Sequence, residues 1–359
     1  MLQETETPFH HIMILNLLRT LISTPSVSRD EKAAADVLEF FMKSHGMACR
    51  REANNVWAVG RDYDESRPTL LLNAHIDTVK PVETWTRDPF TPVTEGDLLY
   101  GLGSNDCGGG LVALLQTFMM MEGRKCGYNL VYLASAEEEV SGRDGISRVL
   151  PLLPHIDAAI VGEPTGMQPA IAEKGLMVID GKAHGRSGHA ARNEGVNAIY
   201  KALDDLLWLR DYRFSRVSDL LGPVKMSVTV IGAGTQHNVV PDECRFVIDV
   251  RSNELYSNEE LFDIISSNVR SELKARSFRL GSSRIDPNHP LVRRMISMGM
   301  TPFGSPTLSD QALMPFPSLK LGPGDSARSH SADEYICLSE IENAVETYLE
   351  ILTELKIKD

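Results

Sequence analysis

Short apolar runs, separated by a helical stretch, constrain the fold of this chain more than any other sequence feature. Three of them, at residues 69–73, 129–134 and 158–161, have the length and composition of buried strands, and an apolar helical pattern at 110–121 lies between the first two. Near-continuous apolar strands that alternate with helices are typical of a parallel sheet covered on both faces. The sequence therefore predicts an α/β fold with a mostly parallel, helix-covered sheet.

The middle of the chain has a different pattern. Residues 197–209 form an amphipathic helical pattern, 225–231 a strand pattern, and 244–251 alternate apolar and polar side chains with a period of two. This alternation indicates an antiparallel sheet with one face covered by helices. We expect an inserted α+β domain at 177–289. The first domain then comprises 1–176 and 290–359, because residues 318–321 and 338–355 return to the earlier pattern.

Composition excludes several classes of partner and location. The chain has 359 residues with 49 acidic and 36 basic side chains, a formal net charge of −13, so neither nucleic acid nor an anionic membrane is expected as a partner. Its five cysteines share no short spacing, which favours a reducing cytoplasmic setting. The N-terminus lacks the basic and apolar regions of a signal peptide, and no run approaches the ~18 apolar residues of a membrane span.

Polar side chains that can bind metal follow each predicted buried strand. His75 and Asp77 close the first strand, and their spacing puts both on one side of an extended chain, where the carboxylate can orient the imidazole. Glu138 and Glu139 follow the second strand in a run of three acids, which repel one another unless a cation neutralises them or one is protonated. Glu163 follows the third strand.

Two further groups lie in Gly-rich segments. Asp106 stands among glycines ahead of the 110–121 helix, where a dinucleotide loop would require Gly and a carboxylate would repel phosphate. His330 ends a Gly-rich loop after the 318–321 strand. Each motif alone has an ordinary alternative: a histidine satisfied by a neighbouring Asp, a glycine turn with an N-cap Asp, or a solvated acidic run. Together they predict a site, because ligands gather at the carboxyl ends of strands in an open parallel sheet.

Two histidines and several carboxylates suit a pair of zinc-like ions better than magnesium, which prefers oxygen ligands alone. The order of the motifs also resembles the co-catalytic dizinc amidohydrolases, a family that includes acetylornithine deacetylase, succinyl-diaminopimelate desuccinylase, aminoacylase and carboxypeptidase G. The resemblance covers nearly the whole chain. The motifs that carry it are His75-x-Asp77, Gly103-x-x-Asp106, Glu138-Glu139, Gly162-Glu163-Pro164-Thr165, Ser187-Gly188-His189, Asn238-Val239-Val240-Pro241, Asp249-Val250-Arg251, and Gly322-Pro323-Gly324 with His330 and Asp333-Glu334.

The resemblance implies a role for each metal ligand. Asp106 is expected to bridge two divalent ions, with His75 and Glu163 completing one metal site and Glu139 and His330 the other. The ions are expected to be zinc, with cobalt as the alternative. The same resemblance implies that the inserted domain is a lid and dimerisation domain and that the enzyme is a homodimer.

Further roles are implied for residues around the ligands. Glu138 is expected to be the general base, and the peptide bond after the bridging Asp, Asp106–Cys107, is expected to be cis. One departure is Gly108, because the family often has Lys two residues after this Asp. His189 is implied to stabilise the oxyanion of the partner subunit's site, its alternative being a turn histidine.

Substrate recognition is expected from three residues. Asn238 and Arg251 are expected to bind the substrate carboxylate, with a structural ion pair as the alternative for Arg251, and Gly324 is expected at the substrate. The substrate implied is N²-acetyl-L-ornithine in arginine biosynthesis. The alternatives are succinyl-diaminopimelate, N-succinylornithine or an N-acylcitrulline, a dipeptide or carboxypeptidase substrate, or a metal-binding protein without hydrolysis. A succinyl group would need a further cation, for which Arg328 is the candidate.

Overall fold

The computed structural model describes residues 7–192 and 194–357. Residues 1–6, which carry part of the expectation about a signal peptide, lie outside this range. Among the residues described, no helix combines the length and apolar character that crossing a membrane requires.

The helices and strands of the described chain are as follows. The helices are α1 Thr7–Ile22, α2 Lys32–Ser44, α3 Gly109–Met121, α4 Ile146–Val149, α5 Ala198–Asp211, α6 Asn258–Asn268, α7 Pro290–Ser297 and α8 Leu338–Thr353. The strands are β1 Cys49–Glu52, β2 Asn55–Val59, β3 Thr69–His75, β4 Val93–Glu95, β5 Leu98–Tyr100, β6 Asn129–Ser135, β7 Ala158–Val161, β8 Ala170–Glu173, β9 Met177–His184, β10 Gly188–His189, β11 Lys225–Ala233, β12 Val239–Val240, β13 Glu243–Arg251, β14 Glu272–Ala275, β15 Ser283–Arg284, β16 Phe303–Ser305, β17 Ser318–Lys320 and β18 Tyr335–Cys337.

The chain divides into two compact units. The first comprises 1–171, 285–303 and 309–359, and the second comprises 172–284 and 304–308. The second unit thus begins and ends earlier than the 177–289 expected from the sequence and includes a short later segment. The second unit begins within β8 and ends at the last residue of β15, and these two strands pair with each other.

Parallel strands form the centre of the sheet in the first unit, as the apolar runs predicted. β3 pairs in parallel with β6 on one side and β7 on the other, and β7 pairs in parallel with β17. Antiparallel strands flank this centre, with β1 and β2 beside β6 and β8 beside β17. Every residue of β3 and β6 is buried. The α/β fold with helices covering a mostly parallel sheet is confirmed.

A close approach between α3 and the end of β7 requires two glycines. A Cβ atom on Gly110 would lie 1.8 Å from the carbonyl oxygen of Gly162, and a Cβ atom on Gly162 would lie 2.8 Å from Leu114 Cδ1. No larger side chain fits at Gly110 unless the helix moves away from the strand. This contact holds the amino-terminal turn of α3 against the segment that leads into Glu163.

The second unit contains a four-stranded antiparallel sheet in the order β11-β13-β9-β14. On β13, Cys244, Phe246, Ile248 and Val250 are buried in a core that also contains side chains of α5 and α6, so the period-two pattern marked the covered face correctly. α5 begins where the Asn197 side chain accepts a hydrogen bond from the Ile199 backbone N–H.

Candidate metal centre

The predicted ligands follow the carboxyl ends of neighbouring strands in the first unit. His75 is the last residue of β3, Glu138 and Glu139 follow β6, and Glu163 follows β7. His330 lies in the loop after β17. Because β6, β3, β7 and β17 are adjacent and parallel, their carboxyl ends share one edge of the sheet. The remaining predicted ligand, Asp106, lies in the loop that precedes α3.

Asp106 lies between the two histidines and offers each of them a different oxygen. Its Oδ1 is 3.2 Å from His75 Nε2, and its Oδ2 is 3.5 Å from His330 Nε2. Glu163 Oε1 lies 3.8 Å from His75 Nε2, whereas Glu139 Oε2 lies 3.0 Å from His330 Nε2. The structure thus brings together two sets of three ligands that share the Asp106 carboxylate.

The chemistry of these donors fits divalent cations. Glu163 Oε1 is buried and has no hydrogen-bond partner, which is costly for an oxygen unless a cation takes that place. Burial and the charge of Asp106 raise the pKa of Glu163 to about 8, and burial and the charge of Glu163 raise the pKa of Glu138 well above its usual value. Cations at the site would relieve this repulsion, and mixed imidazole and carboxylate donors are typical of zinc.

Cys107 is a further donor that sequence reasoning did not place at the site. His75, Cys107 and Glu163 offer ligand atoms within 4.8 Å of one another. The thiol is instead hydrogen-bonded to the backbone, accepting from the His75 N–H at 3.2 Å and donating to the His75 carbonyl at 3.5 Å. Burial raises the pKa of Cys107 to about 12.

Asp77 supports the site in a different way from the one its spacing predicted. His75 Nδ1 lies 2.8 Å from the backbone carbonyl of Asp77 but 3.6 Å from its carboxylate, so the carbonyl accepts the second imidazole N–H. The Asp77 carboxylate accepts hydrogen bonds from Ser28 Oγ at 2.7 Å and from the N–H groups of Glu138 and Glu139 at 3.0 and 3.2 Å. It therefore positions the turn that carries Glu138 and Glu139.

The loop around Asp106 explains the departure at Gly108. The Asp106–Cys107 peptide bond is cis, as the resemblance implied. A Cβ atom on Gly108 would lie 2.4 Å from the Gly103 carbonyl oxygen and 2.7 Å from Leu18 Cδ1. A lysine therefore does not fit at this position with the backbone as it stands.

Three residues that hydrogen-bond to the segments carrying the candidate ligands had no role assigned from the sequence: Ser28, Asn105 and Glu334. Glu334 is buried and accepts hydrogen bonds from three backbone N–H groups of the Asp106 loop. The sequence marked Glu334 as part of the Asp333-Glu334 motif. It did not indicate the hydrogen-bond partners of this residue, because they lie more than two hundred residues earlier in the chain. For Ser28, no signal in the sequence pointed to Asp77.

Two residues of the first unit were expected at the substrate. Gly324 lies in the loop that carries His330 and has a φ of 87°, and a Cβ atom there would lie 2.3 Å from Asn105 Oδ1. Arg328 binds Glu340 through both terminal nitrogens, at 2.7 and 3.1 Å, and lies over the Tyr335 ring. Arg328, the candidate cation for a succinyl group, is therefore paired with Glu340.

The other predicted site residues lie in the second unit. His189 in β10 pairs with Val239 in β12, next to Asn238, whose carbonyl accepts the Ala190 N–H. Arg251 lies at the last position of β13 and binds Asp249 at 2.8 and 3.0 Å. The structure brings His189 and Asn238 together at the two-stranded β10–β12 sheet, whereas Arg251 lies at the last position of β13 in the separate four-stranded sheet.

Comparisons with known proteins identify the family and agree with the fold. A family model described as peptidase family M20/M25/M40 matches residues 71–354. Acetylornithine deacetylase of Pectobacterium atrosepticum is 30% identical to the chain, over 90% of the chain and 92% of that protein. A tripeptidase from Staphylococcus aureus has a TM-score of 0.77 at 19% identity, covering 96% of this chain and 98% of that one. A dinuclear metal-binding peptidase from Bacillus subtilis has a TM-score of 0.73 at 17% identity, with the same coverage.

The shared position of Asp106 generates a prediction about metal content. We expect Asp106→Ala to lose more bound metal than either His75→Ala or His330→Ala, because a shared carboxylate serves both ions and separates their charges. Metal per chain, measured by plasma mass spectrometry after dialysis against a fixed free zinc concentration, checks this. Two full equivalents of zinc in Asp106→Ala would show that this carboxylate is not shared.

Proposed function

The chain belongs to peptidase family M20/M25/M40, and we propose that it is a dizinc deacylase that hydrolyses N²-acetyl-L-ornithine. The chain is a hydrolase of this family, whose solved structures include dinuclear metal-binding peptidases. The observation that carries the proposal is the pair of ligand sets sharing Asp106 beside an acid, Glu138, that neither set uses. The deacetylase relatives at about 30% identity support the substrate.

The candidate site residues of the first unit have two proposed roles, metal binding and proton transfer. His75, Asp106 and Glu163 would hold one ion and Glu139 and His330, with Asp106, the other. When bound, such ions lower the pKa of water and polarise an amide carbonyl.

Glu138 would take a proton from the attacking water and return it to the leaving amine. Burial, and then the charge of Glu163, raise the pKa of Glu138 well above its usual value, and neither proposed ligand set uses this carboxyl group. A protein that only binds metal would have no use for such an acid. This is the feature that favours hydrolysis over metal storage.

His189 has the tautomer that oxyanion stabilisation needs. Its Nδ1 accepts a hydrogen bond from the Ala191 backbone N–H at 3.1 Å, so in the neutral ring the hydrogen lies on Nε2. The side chain is exposed, which leaves Nε2–H available to a carbonyl oxygen that gains negative charge. We propose that this donor acts on the site of a partner subunit.

The positions of Asn238 and Arg251 support two contributing subunits. Arg251 pairs with Lys225 at one end of the β11–β13 ladder, and Cys244 pairs with Ala233 at the other end, where the chain leads to Asn238. Seven residues of strand separate Cys244 from Arg251, a distance of about 23 Å at ~3.3 Å per residue. Arg251 is therefore about this far from the end of the ladder that leads to Asn238, and we propose that two subunits supply the two side chains to one substrate carboxylate.

An apolar surface of the second unit supports a homodimer. β11 is an edge strand whose Val230 and Ile231 are 58% and 57% exposed. The adjacent helix α5 exposes Tyr200, Leu203 and Leu207. Exposed apolar side chains beside an unpaired strand edge are typical of a subunit interface.

The choice of an acetyl substrate follows from the charges at the site. A succinyl group would add a second carboxylate, and Arg328, the cation proposed for it, is already bound to Glu340. The net charge of −13 also favours a cationic or neutral amino-acid side chain over another anionic group. The role in arginine biosynthesis is proposed from the deacetylase relatives, and the five cysteines are free thiols, as they would be in a reducing cytoplasm.

The first prediction of the proposed function concerns Glu138, the general base. Glu138→Gln is expected to keep both metal ions and to lower kcat by roughly 10²–10⁴, the usual contribution of a positioned base. Metal analysis and initial rates on N²-acetyl-L-ornithine test this on the same preparation. Near-normal turnover would remove Glu138 from the mechanism, and loss of metal would exchange the roles of Glu138 and Glu139.

The second prediction concerns the substrate. N-acetyl and N-succinyl forms of ornithine, citrulline and diaminopimelate are compared by kcat/KM, and N²-acetyl-L-ornithine is expected to give the highest value. A succinyl compound that exceeds its acetyl counterpart by more than tenfold, about 1.4 kcal/mol of transition-state preference, would overturn the acetyl assignment.

The third prediction concerns the partner subunit. Inactive His189→Ala and inactive Glu138→Gln subunits are mixed, and activity is expected to return in proportion to the mixed dimers formed, since each contains one complete site. Subunit exchange is measured independently with differently tagged chains. Exchange without recovery would mean that His189 acts in its own chain's site or outside catalysis.

A further inference from the structure

Two loops of the first unit, both of which carry predicted metal ligands, are joined by a buried carboxylate. The loop 101–108 carries Asp106, and the loop 321–334 carries His330. Glu334, only 2% exposed, accepts hydrogen bonds from the backbone N–H of Asn105 and of Asp106, each at 2.9 Å, and from that of Gly103 at 3.2 Å. Its own backbone carbonyl accepts the Gly101 N–H at 3.0 Å.

Asn105 joins the same loops from the other side. Its Oδ1 accepts the Asp325 N–H at 3.0 Å, and its Nδ2 donates to the Asp325 carbonyl at 3.0 Å and to Ser329 Oγ at 3.2 Å. Asn105 is fully buried, and Ser329 is the residue immediately before His330. We call Glu334 and Asn105 the interloop clamp.

The interloop clamp connects the loops of Asp106 and His330. The relative position of these two residues determines whether the Asp106 carboxylate can bind two ions. Asp106 must direct Oδ1 towards His75 and Oδ2 towards His330 at the same time, and the observed distances are 3.2 and 3.5 Å. Glu334 accepts a hydrogen bond from the backbone N–H of Asp106 itself, which restricts the backbone from which the Asp106 side chain extends. Both Glu334 oxygens accept N–H groups, so this carboxylate is a poor candidate for a direct ligand.

We propose that Glu334 is a positioning residue of the metal centre, which with Asn105 holds the Asp106 and His330 loops at the separation needed to bind both ions. The inference rests on the metal ligands of the proposed function. It extends that function by making metal affinity depend on a residue that contacts no ion.

The test compares zinc affinity in two variants that remove similar buried carboxylates. Glu334→Gln keeps the length of the side chain but replaces one acceptor oxygen with an N–H donor that faces backbone N–H groups. We expect zinc to bind about 10–100-fold more weakly, the usual cost of losing a group that orients metal ligands. Affinity is measured by competition with a zinc chelator at a temperature where circular dichroism shows the variant folded.

Asp205→Asn is the matched control. Asp205 in the second unit is 4% exposed and accepts the backbone N–H groups of Arg270 and Ser271, each at 2.9 Å. It thus resembles Glu334 in burial and hydrogen bonding but lies in a unit that contains none of the predicted metal ligands. We expect this variant to lose stability while its zinc affinity stays unchanged.

The outcomes separate this inference from the proposed function. Wild-type zinc affinity in Glu334→Gln, together with metal loss in Asp106→Ala, would overturn the positioning role and leave the metal centre intact. Retained metal in Asp106→Ala would overturn the metal centre itself. If Glu334→Gln does not fold, Asn105→Ala is measured in its place, and unchanged zinc affinity there would overturn the clamp.

Discussion

The repulsion among buried carboxylates at one edge of a parallel sheet is the constraint on which the rest of this structure depends. Asp106, Glu138, Glu139 and Glu163 converge on two histidines, and burial with neighbouring negative charge raises the pKa of Glu163 to about 8. Such a cluster is stable only if protons or cations neutralise it. Under the proposed function, two metal ions neutralise this cluster, and Glu138, which neither ligand set uses, is left for proton transfer.

Holding these acids together requires support from several parts of the chain. Gly110 and Gly162 allow α3 to approach the segment before Glu163, and Asp77 binds the backbone of the Glu138–Glu139 turn. Glu334 holds the loop of Asp106. Each of these contacts fixes the backbone of a segment that carries a candidate metal ligand. The conformational entropy that such a segment would lose on metal binding is therefore smaller.

The sequence predicted the sheet and which side chains lie together at its edge because both follow from local patterns. Apolar runs mark buried strands, and residues just after parallel strands share one edge of the sheet. Contacts between distant loops leave no such pattern. Ser28 contacts Asp77, and Glu334 contacts Asn105, only in the folded structure. The ion pair between Arg328 and Glu340 is likewise not evident from their spacing in the sequence. The separation of Arg251 from Asn238 likewise needed the strand register.

The central claim is that one carboxylate bridges two ions, and anomalous diffraction tests it most directly. Crystals of the zinc-loaded protein are measured on both sides of the zinc absorption edge. The account predicts two anomalous peaks about 3.5–4 Å apart, with the two Asp106 oxygens directed to different peaks. A single peak, or two peaks with Asp106 bound to one of them alone, would contradict it.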